Sequence, residues 1–596
     1  MLSEQDTAST TATTPAKAAS LYFDGLLASR WAILLFLLLG ILPGIGCLTA
    51  PLLMGYDDNW VTRDNPLIVH GLSSIGKQFM KPFGPVNAVG FETGHWAPLT
   101  YLSFALDHLI FDGGGDFTPW VLRLITGVYH GVCGWLVFLL AQRLLTSAQR
   151  NQSGLAAPLA FFVALIFLFH PTVCESVCWV VERNNVLPAL FGLWSVYVFT
   201  GDDDGEPGWG RMFCAFLLLL LSQLFKASGV IWWPVMVGWD FLLLRGKVST
   251  KIARATLLLL PVLLSLYVIR RSHADTIMPP LGEGWLDRGM HSVALQLRYF
   301  GLLVWPVDLS AFYHVSPVQY GWFTAPFCAI LAGTTAVLIL LLRMGMSWRH
   351  IGLYLLWIAA AVAPMINPLV ITSFPLQDRY LYPATPAFGL LLAQATLLLV
   401  ARYQSSSQAA AVGRYTCLGA AALCALFLVG SISRSFAWRD QQTLFSNAAR
   451  NQPDSAFGHS YFATNCFFAS QDVRDAQQAR RLQQIALAEH KKAIACDDFE
   501  RLPWPFHYVL EQARLSFMLG ELDRGRELCL RVADGRPERA TESGTKVLAL
   551  KYLAFDAKQQ KDLKAAREFA DRALALAPDD AELRAMSADI NREMKK

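Results

Sequence analysis

Long apolar runs alternate with short charged breaks from Trp31 to about residue 433, and then the runs stop. A bilayer span needs about 20 apolar residues, with about 17–25 typical. Eleven segments qualify or nearly do: 31–54, 120–145, 155–170, 185–200, 211–225, 228–244, 255–270, 323–342, 351–371, 382–401 and 411–433. Residues 290–306 are also apolar, but if they crossed, the basic loop 343–350 would change sides. They are expected to form an interfacial or re-entrant helix. Residues 1–30 read as a disordered cytoplasmic lead, rich in Ser, Thr and Ala to residue 20. The apolar run that follows lacks an A-x-A site and reads as a retained span rather than a cleaved signal. Beyond 434 the pattern is that of amphipathic helices.

Lys and Arg set the orientation. With the N-terminus in the cytoplasm, the cytoplasmic loops hold Arg143, Arg150, Arg211, Arg245, Lys247, Lys251, Arg254, Arg343, Arg349, Arg402 and Arg414. The C-terminal tail then lies outside. This assignment sorts the chemistry as well. Asp57 and Asp58, the stretch from His170 to Arg183, Lys226, and Asp378-Arg379-Tyr380 all fall on the outer face.

Composition supports the class: 54% hydrophobic and only 16% charged, where soluble domains average about 25% charged. A net charge of +4 gives no argument for nucleic acid. Eleven cysteines are scattered without paired CxxC motifs; those in apolar runs read as packing residues, while Cys466, Cys496 and Cys529 could pair if the tail is exported. His170, Cys174 and Cys178 lie four apart, but eight helical residues span about 12 Å, too far for one tetrahedral zinc. No metal is expected for the chemistry, although a hydrated divalent ion at the aspartate pair stays open.

The tail carries small residues at repeat spacing. Ala565, Ala570, Ala573 and Pro578 fit the second half of a tetratricopeptide unit, and Ala513, Gly520, Leu522, Cys529 and Ala533 a preceding one. Glu489 to Ala495 ends an earlier one. Small residues let paired helices approach closely. An ordinary helical bundle is the competing reading. Such arrays bind peptides on a concave face, so a protein partner is expected.

An ordered set of motifs runs through nearly the whole chain: Tyr56-Asp57-Asp58 with Asn65-Pro66, Trp96 with Pro98-Leu99-Thr100, His170-Pro171, Glu175-Ser176-Val177, Trp179, Glu182-Arg183, Lys226 with Gly229, Trp305-Pro306, Phe312-Tyr313, Asp378-Arg379-Tyr380, and Trp438-Arg439-Asp440 with Leu444-Phe445. This set resembles the type C (GT-C) glycosyltransferases with C-terminal tetratricopeptide repeats, the transmembrane-and-tetratricopeptide O-mannosyltransferases and their bacterial relatives. The chain departs from them at Ala97 (often His), at Asn184-Asn185 (often Lys-Asp) and at Ala227 (Glu in animal members). The resemblance implies an all-α fold: a polytopic membrane domain over 31–433 and an α-solenoid over 434–596. It implies inverting transfer of a sugar, mannose in the relatives, from a polyprenyl-phosphate carrier to an extracytoplasmic acceptor such as protein Ser or Thr.

That chemistry needs a base for the acceptor hydroxyl and cations for the leaving phosphate. Asp57 or Asp58 can supply the base, with Asp57 preferred because it matches the leading acid of the motif. Arg379 offers a fork of donors to phosphate, flanked by Tyr380 and Tyr382; Lys226 can add a point charge. Glu175, Trp179 and Glu182, spaced i, i+4, i+7, share one face if helical, with Arg183 beside them to bind sugar or hold the Asp57 loop. Interfacial anchoring and snorkelling are the structural alternatives for these groups. The membrane itself, the lipid-linked donor and a protein are the expected partners. A bacterial inner membrane, with the repeats periplasmic, is the expected location. Competing functions are transfer to a glycolipid or polysaccharide, a transporter with Asp240 as its ionisable residue, and a non-catalytic scaffold.

Overall fold

The computed structural model describes residues 31–53, 56–58, 62, 65–70, 73, 76, 96–112, 117–148, 155–201, 206–272, 277–278, 284–315, 325–366, 371–372, 374–403, 406–502, 504–535 and 543–595. The N-terminal lead lies outside them, as do Arg150 and Asp202 to Asp204. Among the described residues the regular elements are helices apart from one two-residue antiparallel ladder, Ile277 opposite Thr372 and Met278 opposite Ile371.

Each of the eleven apolar segments contains a helix, from Ala32–Ile41 to Ala409–Ser435. Four described helices are long and apolar enough to cross a bilayer: Pro119–Thr146, Val248–Tyr267, Thr385–Tyr403 and Ala409–Trp438. A fifth arises if Ala156–Phe169 and Pro171–Cys178, which meet at 49°, count as one bent span. Pro98–Asp107, however, lies in none of these segments, and several helices within them are shorter than the hydropathy windows implied. Pro171 ends one early, because it restricts the residue before it to extended backbone. These lengths and compositions are those of an integral membrane protein. Residues 290–306 fall in the helix Trp285–Val304.

Glycine sets how closely the first helix packs. A Cβ on Gly40 would lie 2.3 Å from the backbone nitrogen of Gly131, and one on Gly131 2.5 Å from the Phe36 carbonyl oxygen. Gly127-x-x-x-Gly131 thus gives Ala32–Ile41 a backbone-to-backbone seat on Pro119–Ala148.

The tail folds as sequential helices, Gln441–Asn451, Ala456–Asp472, Ala476–Ala495, Pro505–Leu519, Leu522–Asp534, Ser543–Gln559, Leu563–Leu576 and Ala581–Met594. Ala513, Cys529, Ala566, Ala570 and Ala573 are buried. Gly520, at φ 90°, closes Pro505–Leu519 in the left-handed conformation that suits glycine. All eleven cysteines are free thiols. One apolar core runs into the tail, joining Tyr56, Trp179 and Phe312 to Trp438, Phe445, Phe457 and Tyr508.

Candidate active site

The loop that carries Tyr56, Asp57 and Asp58 is held from three sides. Arg123, one turn into the helix Pro119–Ala148, is buried. It donates to the carbonyls of Cys178 (3.2 Å), Pro51 (2.8 Å) and Ala50. The Trp179 indole donates to the Tyr56 carbonyl at 2.9 Å. The Tyr56 ring stacks on Trp179 with centroids 4.2 Å apart. Phe312, Phe445 and Tyr461 present their edges to Tyr56 at 5.6, 5.6 and 6.1 Å. Tyr56 is therefore a plug in an aromatic box built jointly by the outer loops and the tail.

The two aspartates that follow are not equivalent. Asp58 is fully buried. Its Oδ2 accepts from the Leu53 amide at 2.7 Å, and its carbonyl accepts from the Thr62 hydroxyl at 2.5 Å. It closes the turn on itself. Asp57 has φ 69°, a region non-glycine residues enter at a cost and which gathers at functional sites. The stretch is a turn rather than the extended segment expected, and this positive φ, with Tyr56 pinned, turns the Asp57 side chain out to solvent. Protein crowding pushes its carboxyl up to about 6, with Arg379 pulling it down and Glu182 pushing it up. Burial pushes Asp58 up to about 7.

The stretch after His170 is not one helix. Cys174–Cys178 ends at Trp179, whose ψ of 119° is extended, before a short turn and the helix Arg183–Thr200. Glu175 and Glu182 nevertheless converge, on Arg379 rather than on a common helical face. The Arg379 amide donates to Glu175 Oε2 at 2.9 Å, and its guanidinium pairs with Oε1 of the same carboxylate. Its Nε lies 3.4 Å from Glu182 Oε1. Its guanidinium covers the rings of Trp179 and Tyr380 at 5.5 and 5.0 Å.

Lys226 completes the cluster. It follows Phe225, whose carbonyl accepts from Thr100 at 2.7 Å. The turn after it closes by a Gly229-to-Lys226 bond of 2.9 Å. A Cβ on Gly229 would lie 2.6 Å from Ser222 Oγ, so that turn requires glycine. Lys226 Nζ donates to Asn184 Oδ1 and Asn185 Oδ1 at 2.9 and 2.8 Å, with Glu182 Oε2 at 3.6 Å.

Arg183, grouped with these residues on sequence proximity, is elsewhere. It is fully buried. It pairs with Asp107, donates to the Leu122 carbonyl at 3.0 Å and meets Thr126 Oγ1 at 3.3 Å. Residue 183 opens a helix, so its side chain leaves in a different direction from that of residue 182. Tyr382, expected to flank Arg379, is buried against His130 Nδ1 at 2.8 Å. His170 engages both ring nitrogens, with Thr172 Oγ1 at 2.7 Å and the Leu303 carbonyl at 2.9 Å.

The cluster borders a small pocket. Arg379, Tyr380 and Asn185 stand at its polar part; Pro188, Ile231, Trp232, Met365 and Pro383 give it apolar walls. Glu175 and Glu182 balance Arg379 and Lys226, so the carboxylate of Asp57 leaves the group with one net negative charge. Glu182 holds its cations at 3.4 and 3.6 Å, whereas Glu175 pairs closely with the Arg379 guanidinium and also accepts from its amide. An entering anion would compete with Glu182 first. Arg123 and Tyr461 were missed in the sequence, and Asn184-Asn185 stood out only as a departure from the family pattern. An arginine inside an apolar helix was a usable signal for the first; nothing marked Tyr461.

Comparison with known proteins gives partial matches. The chain is 31% identical over 137 residues to Protein O-mannosyl-transferase Tmtc1 of Drosophila melanogaster, which is 23% of this chain and 14% of that protein. It is 28% identical over 176 residues to Tmtc2 of the same organism, 28% of this chain and 18% of that one. It is 22% identical over 437 residues to Protein O-mannosyl-transferase F38B6.6 of Caenorhabditis elegans, 72% of this chain and 59% of that one. The chain thus spans less than two thirds of the length of each of these relatives. No family model matches it, and no solved structure does.

Proposed function

We propose that this chain is a membrane glycosyltransferase of the GT-C type that transfers a sugar, mannose by analogy with its relatives, from a polyprenyl phosphate to protein Ser or Thr. The observation that carries the reading is the strained, solvent-facing Asp57 beside a cluster in which Arg379 closes an apolar pocket. Arg379 lines this small pocket and Lys226 stands in the same cluster, so both cations can meet the carrier's phosphate. Asp57 takes the proton of the acceptor hydroxyl as its oxygen bonds to the sugar C1. The C1–O bond to phosphate breaks, and polyprenyl phosphate leaves with the electron pair. One displacement inverts the sugar carbon. A carboxylate raised to about 6 is still mostly ionised at neutral pH and is a stronger base than an ordinary one. Asp58 shapes the turn. Glu175 fixes Arg379, and Glu182 holds the cations until the phosphate arrives.

In this reading the apolar helices make eleven crossings, with the cluster and the tail on the extracytoplasmic face. The membrane domain runs over 31–433, and the tail, 434–596, is a tetratricopeptide-like solenoid that presents the acceptor protein. The three curated relatives support the activity by their names. The test is transfer by the purified chain from a polyprenyl-phosphate sugar to acceptor protein, followed by mass spectrometry. Asp57→Asn is expected to lose activity with its thermal unfolding unchanged, while Asp58→Asn keeps most of it. Normal transfer by the Asp57 variant would remove Asp57 as the base. Product found on lipid extracts instead of protein would replace the acceptor.

A further inference from the structure

A second group of chemistry-bearing side chains lies where the outer loop meets the tail. His314 follows Phe312-Tyr313 and is buried. Its Nε2 lies 2.6 Å from Asp497 Oδ1. Asp498, also buried, adds a second carboxylate, and one ligand atom from each of the three residues lies within 4.8 Å of the other two. The residues come from separate segments: the loop after Trp285–Val304, and the turn that ends Ala476–Ala495. Asp498 is oriented in advance, since its Oδ1 accepts from the Ala456 amide at 2.9 Å at the start of a third helix. Such outer contacts are what fix metal-ligating carboxylates.

An imidazole–carboxylate pair alone would account for His314 and Asp497. It leaves out Asp498, a buried carboxylate of the adjacent residue that holds the Ala456 amide and still has a ligand atom within 4.8 Å of the imidazole. Two carboxylates so placed repel unless a cation lies between them. One nitrogen and two carboxylates form a donor set suited to zinc; calcium and magnesium take six or more oxygens. Ligand atoms around a tetrahedral zinc stand about 3.4 Å apart, given bonds of about 2.0–2.1 Å. The three ligand atoms lie within 4.8 Å of one another and His314 Nε2 stands 2.6 Å from Asp497 Oδ1, so an ion would part that pair and draw Asp498 in. Asp497 is half exposed, which leaves an open side for water as fourth ligand.

We propose that His314, Asp497 and Asp498 bind one divalent transition-metal ion, zinc by donor set, which clamps the tail to the outer loop. The ion takes no part in sugar transfer and does not depend on that reading. Its effect is mechanical: His314 is two residues from Phe312, whose ring walls the box around Tyr56. An occupied clamp holds that wall in place.

The test uses the full chain in detergent, stripped with chelator and then given ZnCl2 or MnCl2. Wild type should retain about one equivalent of zinc after desalting, and zinc should raise its unfolding temperature by several degrees. His314→Gln and Asp498→Asn should lose both responses. Asp498→Asn keeps an oxygen for the Ala456 amide and so should still fold. Equal zinc responses in wild type and both variants would place the metal elsewhere and overturn the proposal. So would the absence of any retained metal or shift with either ion, which would leave His314 and Asp497 as an ion pair only.

Discussion

Two groups of buried charge sit toward opposite ends of one short helix, Trp232–Leu242. Trp232 lines the pocket beside Arg379. Asp240 lies eight residues on, about 12 Å along the axis. At that inner end Arg254 grips both oxygens of Asp240, at 2.9 and 2.8 Å, and reaches Glu206 at 3.2 Å. Lys251 donates to the carbonyls of Asp240 and Leu244 at 2.7 and 2.6 Å. This group is closed, with two cations facing two carboxylates and the Asp240 pair bidentate. The outer group is left open. Its contacts to Glu182 are long, it borders a pocket, and its extra carboxylate stands on a strained residue facing solvent. Charge in a membrane helix is therefore not by itself a sign of function. The mismatch between charges, and the room beside them, separates the two ends. It also removes the main support for a transporter reading, because Asp240 is fully engaged in a local clamp.

The comparison is open to direct attack. The largest expected effect is the pair Asp57→Asn and Asp240→Asn, which should behave oppositely. Asp57→Asn should cost about 10²–10⁴-fold in turnover, the usual worth of a general base, with little loss of stability. Asp240→Asn should leave buried Arg254 with only the half-exposed Glu206 as counter-charge and cost up to about 3–5 kcal/mol of stability, while the molecules that remain folded keep their activity. Denaturation and turnover measured on both variants decide this.

Arg379→Lys comes next. It keeps the charge but loses the fork, and charged hydrogen bonds are worth about 1.5–3 kcal/mol each. A fall of about 10–100-fold in kcat/KM is expected, and an unchanged value would remove Arg379 from phosphate binding.

Acidity gives a finer probe. The base form of Asp57 exists above its own pKa, so activity should rise with pH through a midpoint near 6. Glu182 raises that value and Arg379 lowers it. Glu182→Gln should therefore move the acid limb to lower pH by a fraction of a unit, and a limb that moved upward would contradict the arrangement. The smallest effect belongs to Trp179→Phe, which keeps a ring against Tyr56 but loses the hydrogen bond to its carbonyl. About 0.5–1.5 kcal/mol of stability should be lost, with a modest fall in turnover as the Asp57 turn loosens.

Much of this architecture was legible in the chain because hydropathy is a local property. Each apolar segment yielded a helix, and in the tail Ala513, Cys529, Ala533, Ala570 and Ala573 are buried, while Ala565 is half-buried and Gly520, Leu522 and Pro578 are exposed. Motif order brought Glu175, Glu182, Lys226 and Arg379 into one group before any coordinates did. Three matters were not legible. Arg183 is next to Glu182 in sequence, yet it turns to Asp107, because a helix starts between them. Asp57 and Asp58 carry the same side chain and differ only in backbone conformation, which depends on Tyr56 being held by Trp179 and by rings from the tail. His314 and Asp498 are 184 positions apart in the chain, so no spacing could have paired them.

The sequence by itself determined the class of molecule, the helices and the roster of charged residues, since these follow from composition and from periodicity over a few turns. Only the tertiary structure decided which charges are matched and which are left over. That depends on angles between distant segments: the bend at His170-Pro171, the glycine contact between the first helix and Pro119–Ala148, and the docking of the tail. Those angles fix which carboxylate faces a cation and which faces water.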